Sequence, residues 1–342
     1  MKPSDIHKFG RSDLKVTAIG YGALQIGNFF RTVTDAESDE VFQAAWDAGI
    51  RYFDTAPFYG HGLSELRTGH SLRWKDRDTY VLSSKVGRVL TAARRADIGF
   101  APFVDAAPFK FHYDYSYDGT MRSFEDSLQR LGLERMDICF IHDVDKFTHG
   151  TDQPSVFKQA MDGAWRALES LRSQNVVKAI GVGVNEWQIC HEALKQRDFD
   201  CFLLAGRYTL LEQEALDEFL PLCQARGVAV AVGGGFNSGI LATGAKPGAK
   251  YNYGPAPEHI MKRVADLEKV CAEFNVPLPA AALQFVAAHP AIPTFISGTR
   301  TRTQLEQNIS WFSDPIPEPF WNLSTSSGQQ SGGRQSAMRS PC

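Results

Sequence analysis

Short β-branched runs alternate along this chain with longer amphipathic stretches, a pattern typical of parallel strands joined by crossover helices. The pattern predicts strands over 16–21, 51–54, 80–84, 136–141, 177–182, 202–204, 228–232 and 292–297. It predicts helices over 35–48, from about 64, and over 118–131, 155–173, 186–196, 213–226 and 258–274, and an eighth helix opened by the segment 297–301. Eight strand and helix pairs favour a closed (β/α)₈ TIM barrel, which we expect to occupy residues 1–321 as one domain.

A polar and aromatic insertion, residues 87–117, separates the third predicted strand from the following helix. Insertions in barrels usually decorate the active face, so this segment is a candidate substrate-binding loop. An open doubly wound sheet is the alternative architecture, but no G-x-G-x-x-G motif follows a strand. The final segment, residues 322–342, is rich in Ser, Gly and Gln and is predicted to be disordered.

Composition narrows the range of functions. Hydrophobic residues make up 43% of the 342-residue chain, enough for a large core. The net charge of −3 and the scattered Lys and Arg residues offer no surface for nucleic acid. The six cysteines form no C-x-x-C pair, so we expect them to be reduced. No apolar run reaches membrane-spanning length and no secretory signal is recognisable, which predicts a cytoplasmic protein without membrane association; its oligomeric state stays open.

Three predicted strands end in an ionisable side chain: Asp54, Lys85 and His142. Because reactive groups emerge at the carboxyl ends of barrel strands, we expect these three to lie together. Tyr59 follows closely in the segment DTAPFYG (54–60). A neighbouring Lys85 would lower the pKa of Tyr59 and so favour acid–base catalysis, with Asp54 holding the ammonium and His142 orienting a carbonyl or hydroxyl.

Each of these side chains has a simpler explanation when it is considered alone: a turn cap for Asp54, a solvated charge for Lys85, packing for Tyr59 and a core histidine for His142. Their joint placement favours a catalytic role. A Schiff-base aldolase using the strand-ending lysine and a non-catalytic cofactor sensor are the rival interpretations. No metal site is predicted, because no second ligand pair accompanies IHDVD (141–145) at a suitable spacing.

The tetrad residues resemble the aldo-keto reductase superfamily, whose Asp, Tyr, Lys and His lie on barrel strands in this order. The similarity extends over roughly residues 10 to 312. Within the superfamily, the chain resembles the bacterial D-threo-aldose 1-dehydrogenase group, which includes L-fucose and pyridoxal 4-dehydrogenases. The segments that carry this likeness are FHYDYSYDG (111–119), SLQRLGL (127–133), IHDVD (141–145), GVGVNEW (181–187) and YNYGPAP (251–257).

The resemblance implies hydride transfer between a nicotinamide cofactor, NAD or NADP, and a small sugar or related hydroxyl or carbonyl compound. Tyr59 would take the hydroxyl proton in oxidation and return it in reduction. An aldose 1-dehydrogenase of L-fucose or D-threo-aldose type is the first expectation. Pyridoxal 4-dehydrogenase and a general aldehyde or ketone reductase are the alternatives.

Two glycine-containing loops follow the seventh and eighth predicted strands, where barrels often hold phosphate. The resemblance assigns cofactor contacts to Gly22, Asn185, Gly234, Phe236, Asn237, Gly298, Arg300, Gln304 and Asn308. Arg300 suits the 2′-phosphate of NADP, but one arginine leaves the choice between NAD and NADP open. Two positions depart from the superfamily: Gly233 replaces a ring that stacks on nicotinamide, and Ala205 replaces a glutamine that binds its carboxamide.

Overall fold

A computed structural model describes residues 1–321; the disorder predicted for residues 322–342 concerns a segment outside the described part. Eight parallel strands close into a barrel in which each strand pairs with its neighbours in chain order. They are β1 (Ile19–Gly22), β2 (Tyr52–Asp54), β3 (Val81–Val86), β4 (Ile138–His142), β5 (Ala179–Val184), β6 (Cys201–Ala205), β7 (Ala229–Gly233) and β8 (Thr294–Ser297). The predicted (β/α)₈ barrel is confirmed, and the open sheet is excluded.

Helices surround the barrel, and all of them except the short α4 bury apolar side chains. They are α1 (Asp35–Asp47), α2 (Leu63–Leu72), α3 (Tyr117–Leu131), α4 (Lys146–His149), α5 (Gln153–Gln159), α6 (Trp165–Ser173), α7 (Trp187–Gln196), α8 (Phe219–Arg226), α9 (Ile240–Thr243), α10 (Glu258–Glu273), α11 (Leu278–Ala287) and α12 (Arg302–Ser313). A π-helical segment, Ala160–Ala164, joins α5 to α6. Among the described helices none is by itself long and apolar enough to span a membrane; only the pair α10 and α11, bent by 97°, passes that test together.

The start of α1 shows how local sequence sets an element. The Thr34 side chain accepts a hydrogen bond from the Glu37 backbone N–H at 3.2 Å, and the Glu37 carboxylate accepts one from the Thr34 N–H at 2.7 Å. This capping box satisfies backbone donors that the first helical turn leaves unpaired. Further along α1, Phe42 stacks on Phe53 of β2 with ring centroids 5.6 Å apart. The helix is thereby fixed at its start and against the barrel.

An N-terminal hairpin of Ile6–Lys8 and Lys15–Thr17 closes one end of the barrel. Phe9 and Val16 are buried in a cluster that also contains the first residues of β2 to β7 in the order Tyr52, Val81, Ile138, Ala179, Cys201 and Ala229. Gly10 has a φ of +59°, and a Cβ atom there would lie 2.8 Å from the Ala229 backbone nitrogen. Only glycine therefore allows this close approach. The hairpin covers the amino ends of the strands.

The prediction of a single strand over 16–21 is wrong, because the chain leaves the hairpin at Ala18 and only then enters β1. The eighth strand begins after Pro293, whose missing N–H cannot join the ladder. The helix predicted over 213–226 begins instead at Phe219. The prediction omitted α11, whose side chains are buried from Leu278 to Val286, so that no polar face marks its helical period.

Two further hairpins lie at the carboxyl ends of the strands. The insertion hairpin pairs Arg88–Ala92 with Phe109–Tyr113 inside the segment predicted as a substrate loop. The mouth hairpin pairs Lys250–Tyr251 with Gly254–Pro255 in the loop that follows β7. Both hairpins therefore border the end of the barrel that carries Asp54 and His142.

Candidate active site

Asp54 and Lys85 form a buried ion pair between two neighbouring strands, β2 and β3. Lys85 Nζ lies 2.7 Å from Asp54 Oδ2 and donates a second hydrogen bond to the Thr55 carbonyl oxygen at 2.8 Å. Asp54 Oδ1 accepts a hydrogen bond from Ser83 Oγ at 2.7 Å. The two charged side chains are only 1% and 4% exposed, so each charge depends on the other for the stabilisation that water no longer provides.

Tyr59 lies beside this pair on the loop that follows β2. Lys85 Nζ is 4.7 Å from the centroid of the Tyr59 ring, and the His142 ring meets it edge-on with centroids 5.9 Å apart. Gly60 has a φ of +64°, and a Cβ atom there would lie 2.4 Å from the Gly27 carbonyl oxygen. A Cβ at Gly27 would lie 2.8 Å from the Tyr59 carbonyl carbon. Because neither glycine carries a Cβ atom, the Tyr59 backbone packs in direct contact with the loop after β1.

Burial raises the pKa of Tyr59 well above its ordinary value, and the negative charges of Asp54 and Asp143 raise it further. The predicted lowering of the Tyr59 pKa is therefore wrong as a net effect in the protein chain itself. The reason is that Asp54, 2.7 Å from Lys85 Nζ, offsets much of the positive charge that Tyr59 would otherwise feel. In the chain Tyr59 is a protonated phenol that can donate a hydrogen bond at neutral pH.

His142 ends β4 and is buried. Burial lowers the pKa of His142 well below its ordinary value, and the nearby cations Arg88 and Lys85 lower it further. The imidazole is therefore neutral at physiological pH, with one ring N–H available as a donor. The structure thus brings the four predicted catalytic residues to one place, with an ion pair, a phenol and a neutral imidazole facing the mouth.

A second buried ion pair, Arg88 with Asp143, borders His142 and was missed by the sequence reasoning. Arg88 Nη2 lies 2.7 Å from Asp143 Oδ2, and Asp143 Oδ2 lies 3.5 Å from His142 Nε2. The Arg88 guanidinium carbon is 4.3 Å from the Phe58 ring centroid and 4.8 Å from that of Tyr113. The available signals were an acid directly after the strand-ending histidine and an arginine near the start of the insertion.

The loop from β8 into α12 gathers four of the predicted cofactor residues: Gly298, Arg300, Gln304 and Asn308. The Gln304 side chain accepts a hydrogen bond from the Arg300 backbone N–H at 3.2 Å, and Asn308 Nδ2 donates to Ser297 Oγ at 3.0 Å. The Arg300 guanidinium donates to the Gln25 side chain and to the Phe29 carbonyl oxygen, and it pairs with no carboxylate in residues 1–321. A half-buried cation without an acid, beside the amino end of a twelve-residue helix, fits the phosphates of a dinucleotide.

The loop after β7 contains Gly234, Phe236 and Asn237. Gly234 has a φ of +65° and Asn237 a φ of +46°. The Asn237 side chain accepts a hydrogen bond from the Thr209 hydroxyl and donates one to the Gly206 carbonyl oxygen at 3.0 Å, while the Phe236 ring faces α12. The Asn237 side chain thus holds the loop in place, which leaves backbone N–H groups as its means of contacting an anion.

The remaining predicted cofactor residues, Gly22 and Asn185, lie at the carboxyl ends of β1 and β5. A Cβ atom at Gly22 would lie 2.7 Å from Ile296 Cγ2, so the position tolerates no side chain. Asn185 Oδ1 accepts a hydrogen bond from the Tyr253 hydroxyl at 3.4 Å. Tyr253, on the mouth hairpin, also approaches the rings of Phe29 and Phe147, with centroids 6.3 Å and 6.5 Å away. The mouth hairpin therefore reaches the loops after β1, β4 and β5, a feature the sequence reasoning missed.

Within residues 1–321 no group of three or more His, Cys, Asp or Glu side chains is arranged to hold a metal ion. Five of the cysteines are described, and all five are free and buried. Burial raises the pKa of each of these thiols. The five described cysteines are therefore not expected to act as thiolates in the described site.

Comparison with known proteins agrees with this geometry. Residues 18–327 match the model of the Aldo/keto reductase family. The chain is 43% identical over 340 residues to pyridoxal 4-dehydrogenase from Microbacterium luteolum, covering 96% of this chain and 98% of that protein. It is 39% identical over 313 residues to D-threo-aldose 1-dehydrogenase from a Pseudomonas species, covering 90% and 93%. A solved aldo-keto reductase from Bacillus halodurans, in its holo form, has the same fold with a TM-score of 0.69 at 22% identity, covering 95% and 96%.

Proposed function

This chain belongs to the aldo/keto reductase family, and on that basis we propose that it oxidises the hemiacetal carbon of a small cyclic substrate. Family membership makes the protein an oxidoreductase that uses NAD or NADP and acts on a small molecule. An aldose 1-dehydrogenase of L-fucose or D-threo-aldose type is the activity that we put first.

The observation that carries this proposal is that the Tyr59 ring lies beside both Lys85, of the Lys85–Asp54 pair, and the neutral His142. A substrate hydroxyl between Tyr59 and His142 would accept a hydrogen bond from the imidazole N–H. With Tyr59 in its phenolate form, the phenolate oxygen would take the proton of that hydroxyl as the C–O bond becomes a carbonyl. When bound, the nicotinamide cofactor supplies the acceptor for the hydride that leaves the same carbon.

Lys85 has one ammonium hydrogen left after its bonds to Asp54 and Thr55. That hydrogen and the positive charge would stabilise the Tyr59 oxygen whenever it becomes negative. The same ion pair argues against a Schiff-base aldolase, because a nucleophilic lysine must be neutral. The proposed role of Lys85 is therefore electrostatic.

For the cofactor, we propose that Arg300, Gly298 and the amino end of α12 bind a phosphate group. Gln304 and Asn308 would lie next to the adenosine, and Asn185 next to the carboxamide. Gly22 and the backbone of Gly234, Phe236 and Asn237 would line the rest of the site. The support is the Arg300 guanidinium, which pairs with no carboxylate in residues 1–321, and the left-handed backbone of the loop after β7.

The substrate class is inferred from chemistry that two relatives share. A pyridoxal 4-dehydrogenase and a D-threo-aldose 1-dehydrogenase match this chain at 43% and 39% identity. Aldoses exist mainly as ring hemiacetals, and pyridoxal closes a similar ring through its own hydroxymethyl group. Oxidation of the hemiacetal carbon gives a lactone in both cases. Pyridoxal oxidation is thus the second candidate, favoured by the aromatic rings of Phe29 and Tyr253 at the mouth.

The test is a panel of aldoses, pyridoxal, simple alcohols and simple aldehydes, offered with NAD and NADP in both directions. Formation or loss of reduced nicotinamide is followed by absorbance. We expect a cyclic aldose such as L-fucose to give the highest kcat/KM in the oxidative direction. Preference for pyridoxal would establish the second candidate, and activity confined to reduction of simple aldehydes or ketones would refute both.

A further inference from the structure

Asp143 is an acid at the mouth of the barrel that the proposed proton transfer does not use. It follows His142 directly, in the left-handed region with a φ of +48°. The carbonyl oxygens of His142 and Asp143 both accept hydrogen bonds from the Tyr115 hydroxyl, at 2.7 Å and 3.0 Å. This backbone is therefore held in a conformation that non-glycine residues rarely adopt, which fixes the direction of the carboxylate.

The two oxygens of the Asp143 carboxylate have different surroundings. Oδ2 accepts the hydrogen bond from Arg88 and lies 3.5 Å from His142 Nε2. No group in residues 1–321 donates a hydrogen bond to Oδ1, and the side chain is 13% exposed. Partial burial of a carboxylate costs free energy when one of its oxygens accepts no hydrogen bond, so a donor at Oδ1 would be stabilising. The negative charge of this carboxylate raises the pKa of both Tyr59 and Tyr253.

Arg88 holds the carboxylate in that position. The guanidinium is 3% exposed and is flanked by the rings of Phe58 and Tyr113. Phe58 immediately precedes Tyr59, so Arg88 connects the Tyr59 loop with the residue after His142. Burial raises the pKa of the Asp143 carboxyl, and the positive charge of Arg88 opposes that rise.

We propose that Asp143 determines substrate specificity by accepting a hydrogen bond from the hydroxyl on the carbon next to the one oxidised, with Arg88 as its positioning residue. The inference rests on the proposed function. Hydroxyl oxygens on adjacent carbons of a sugar ring lie about one hydrogen-bond length apart. A substrate whose reacting hydroxyl binds His142 Nε2 therefore places its neighbouring hydroxyl within reach of Asp143, 3.5 Å from that nitrogen.

The competing explanation is that the Arg88–Asp143 pair only fastens the insertion hairpin to the barrel. A fastening role would change kcat/KM for every substrate by the same factor. A specificity role would change the ratio between a substrate that has the neighbouring hydroxyl and one that lacks it. The decisive experiment therefore compares the ratio of kcat/KM for two substrates in the wild type and in several variants.

The experiment measures kcat/KM for an aldose such as L-fucose and for its 2-deoxy analogue, with the wild type, Asp143→Ala and Asp143→Asn. Asp13→Ala, which alters an exposed acid of the N-terminal hairpin at the opposite end of the barrel, is the matched control. Melting temperatures and cofactor dissociation constants establish that each variant is folded and binds cofactor. Asp143→Asn keeps the size and one acceptor of the original side chain, in case Asp143→Ala disturbs folding.

In the wild type and in Asp13→Ala we expect kcat/KM to be lower for the 2-deoxy sugar by about 10- to 100-fold, the value of a hydrogen bond to a charged group. In Asp143→Ala we expect the two sugars to differ by no more than about threefold, with Asp143→Asn between these limits. Equal ratios in the wild type and both Asp143 variants would overturn the specificity role and leave the proposed function standing. A wild type that oxidises no aldose would overturn the proposed function, and this inference with it.

Discussion

Lys85 and Asp54 lie one strand apart, with 2.7 Å between the ammonium nitrogen and the carboxylate oxygen, and neither side chain reaches solvent. Removing one partner would leave the other charge buried and unpaired. We expect Lys85→Met or Asp54→Asn to lower the free energy of unfolding by about 3–5 kcal/mol, and the double variant to lose less than the sum. Urea denaturation measures this, with exposed Lys110→Met as the control. Strict additivity would show that the pair contributes no coupling energy.

Tyr59→Phe removes a single oxygen from the predicted proton-transfer residue and keeps its ring. We expect turnover to fall by about 10²- to 10⁴-fold, the usual contribution of a positioned acid or base. The dissociation constant for reduced nicotinamide, followed by fluorescence, should stay within a factor of about two of wild type, since only one oxygen is lost. Tyr117→Phe, at the start of α3, is the matched control. Unchanged turnover in Tyr59→Phe would refute the acid–base role.

The raised pKa of Tyr59 predicts a pH profile. Oxidation needs Tyr59 to accept a proton, and the fraction of phenolate grows as pH rises toward a pKa above the ordinary value of 10. We therefore expect kcat/KM for oxidation to rise across about pH 7 to pH 10, with no inflection from His142 near pH 6.5, because the pKa of His142 lies well below its ordinary value. A rate that is already level at neutral pH would contradict this prediction.

Arg300 is the cation that we expect to meet a cofactor phosphate. If Arg300 binds the 2′-phosphate, Arg300→Ala should weaken the binding of NADP by about 10- to 100-fold and change the binding of NAD little. The measurement is the dissociation constant of each reduced cofactor by fluorescence titration. Arg302→Ala is the control, because Arg302 is exposed and pairs with Glu306. Equal weakening of the binding of both cofactors would place Arg300 at the pyrophosphate. Unchanged dissociation constants for both would show that Arg300 does not contact the cofactor.

Gly27→Ala tests whether close backbone contact positions Tyr59. The added methyl would lie 2.8 Å from the Tyr59 carbonyl carbon, so the Tyr59 loop must move. We expect kcat to fall by about 10- to 100-fold, because small displacements of a catalytic group are costly. Gly99→Ala, where no atom lies within 4 Å of the new Cβ, should leave kcat unchanged. Full activity in Gly27→Ala would show that the loop has room to adjust.

The barrel could be predicted because each strand carries its own signal. A short apolar run between turn residues marks β3 and β4 to within a few positions. The missed elements lack that signal. The insertion hairpin, Arg88–Ala92 with Phe109–Tyr113, depends on pairing across a long excursion, and α11 has no polar face. The predicted single strand over 16–21 failed because two short strands adjoin with no turn residue between them.

Asp54, Lys85 and His142 could be placed together because the fold itself aligns the carboxyl ends of strands. Their partners could not be found in this way. Arg88 reaches Asp143 across 55 residues, and Tyr253 reaches Asn185 across 68, through loops whose paths no local pattern dictates. The pKa of Tyr59 was misjudged for a related reason, since the sequence gives no measure of burial or of how fully Asp54 offsets the charge of Lys85.

The N-terminal hairpin seals the amino ends of the strands, whereas Asp54 and His142 occupy the carboxyl ends. Chemical attachment through the N-terminal hairpin would therefore leave the mouth of the barrel open to solvent. If the molecules were tethered in this way to an electrode or a bead, the mouth of each barrel would face away from the support. The fold in this way allows attachment in one orientation with no change near Asp54 or His142.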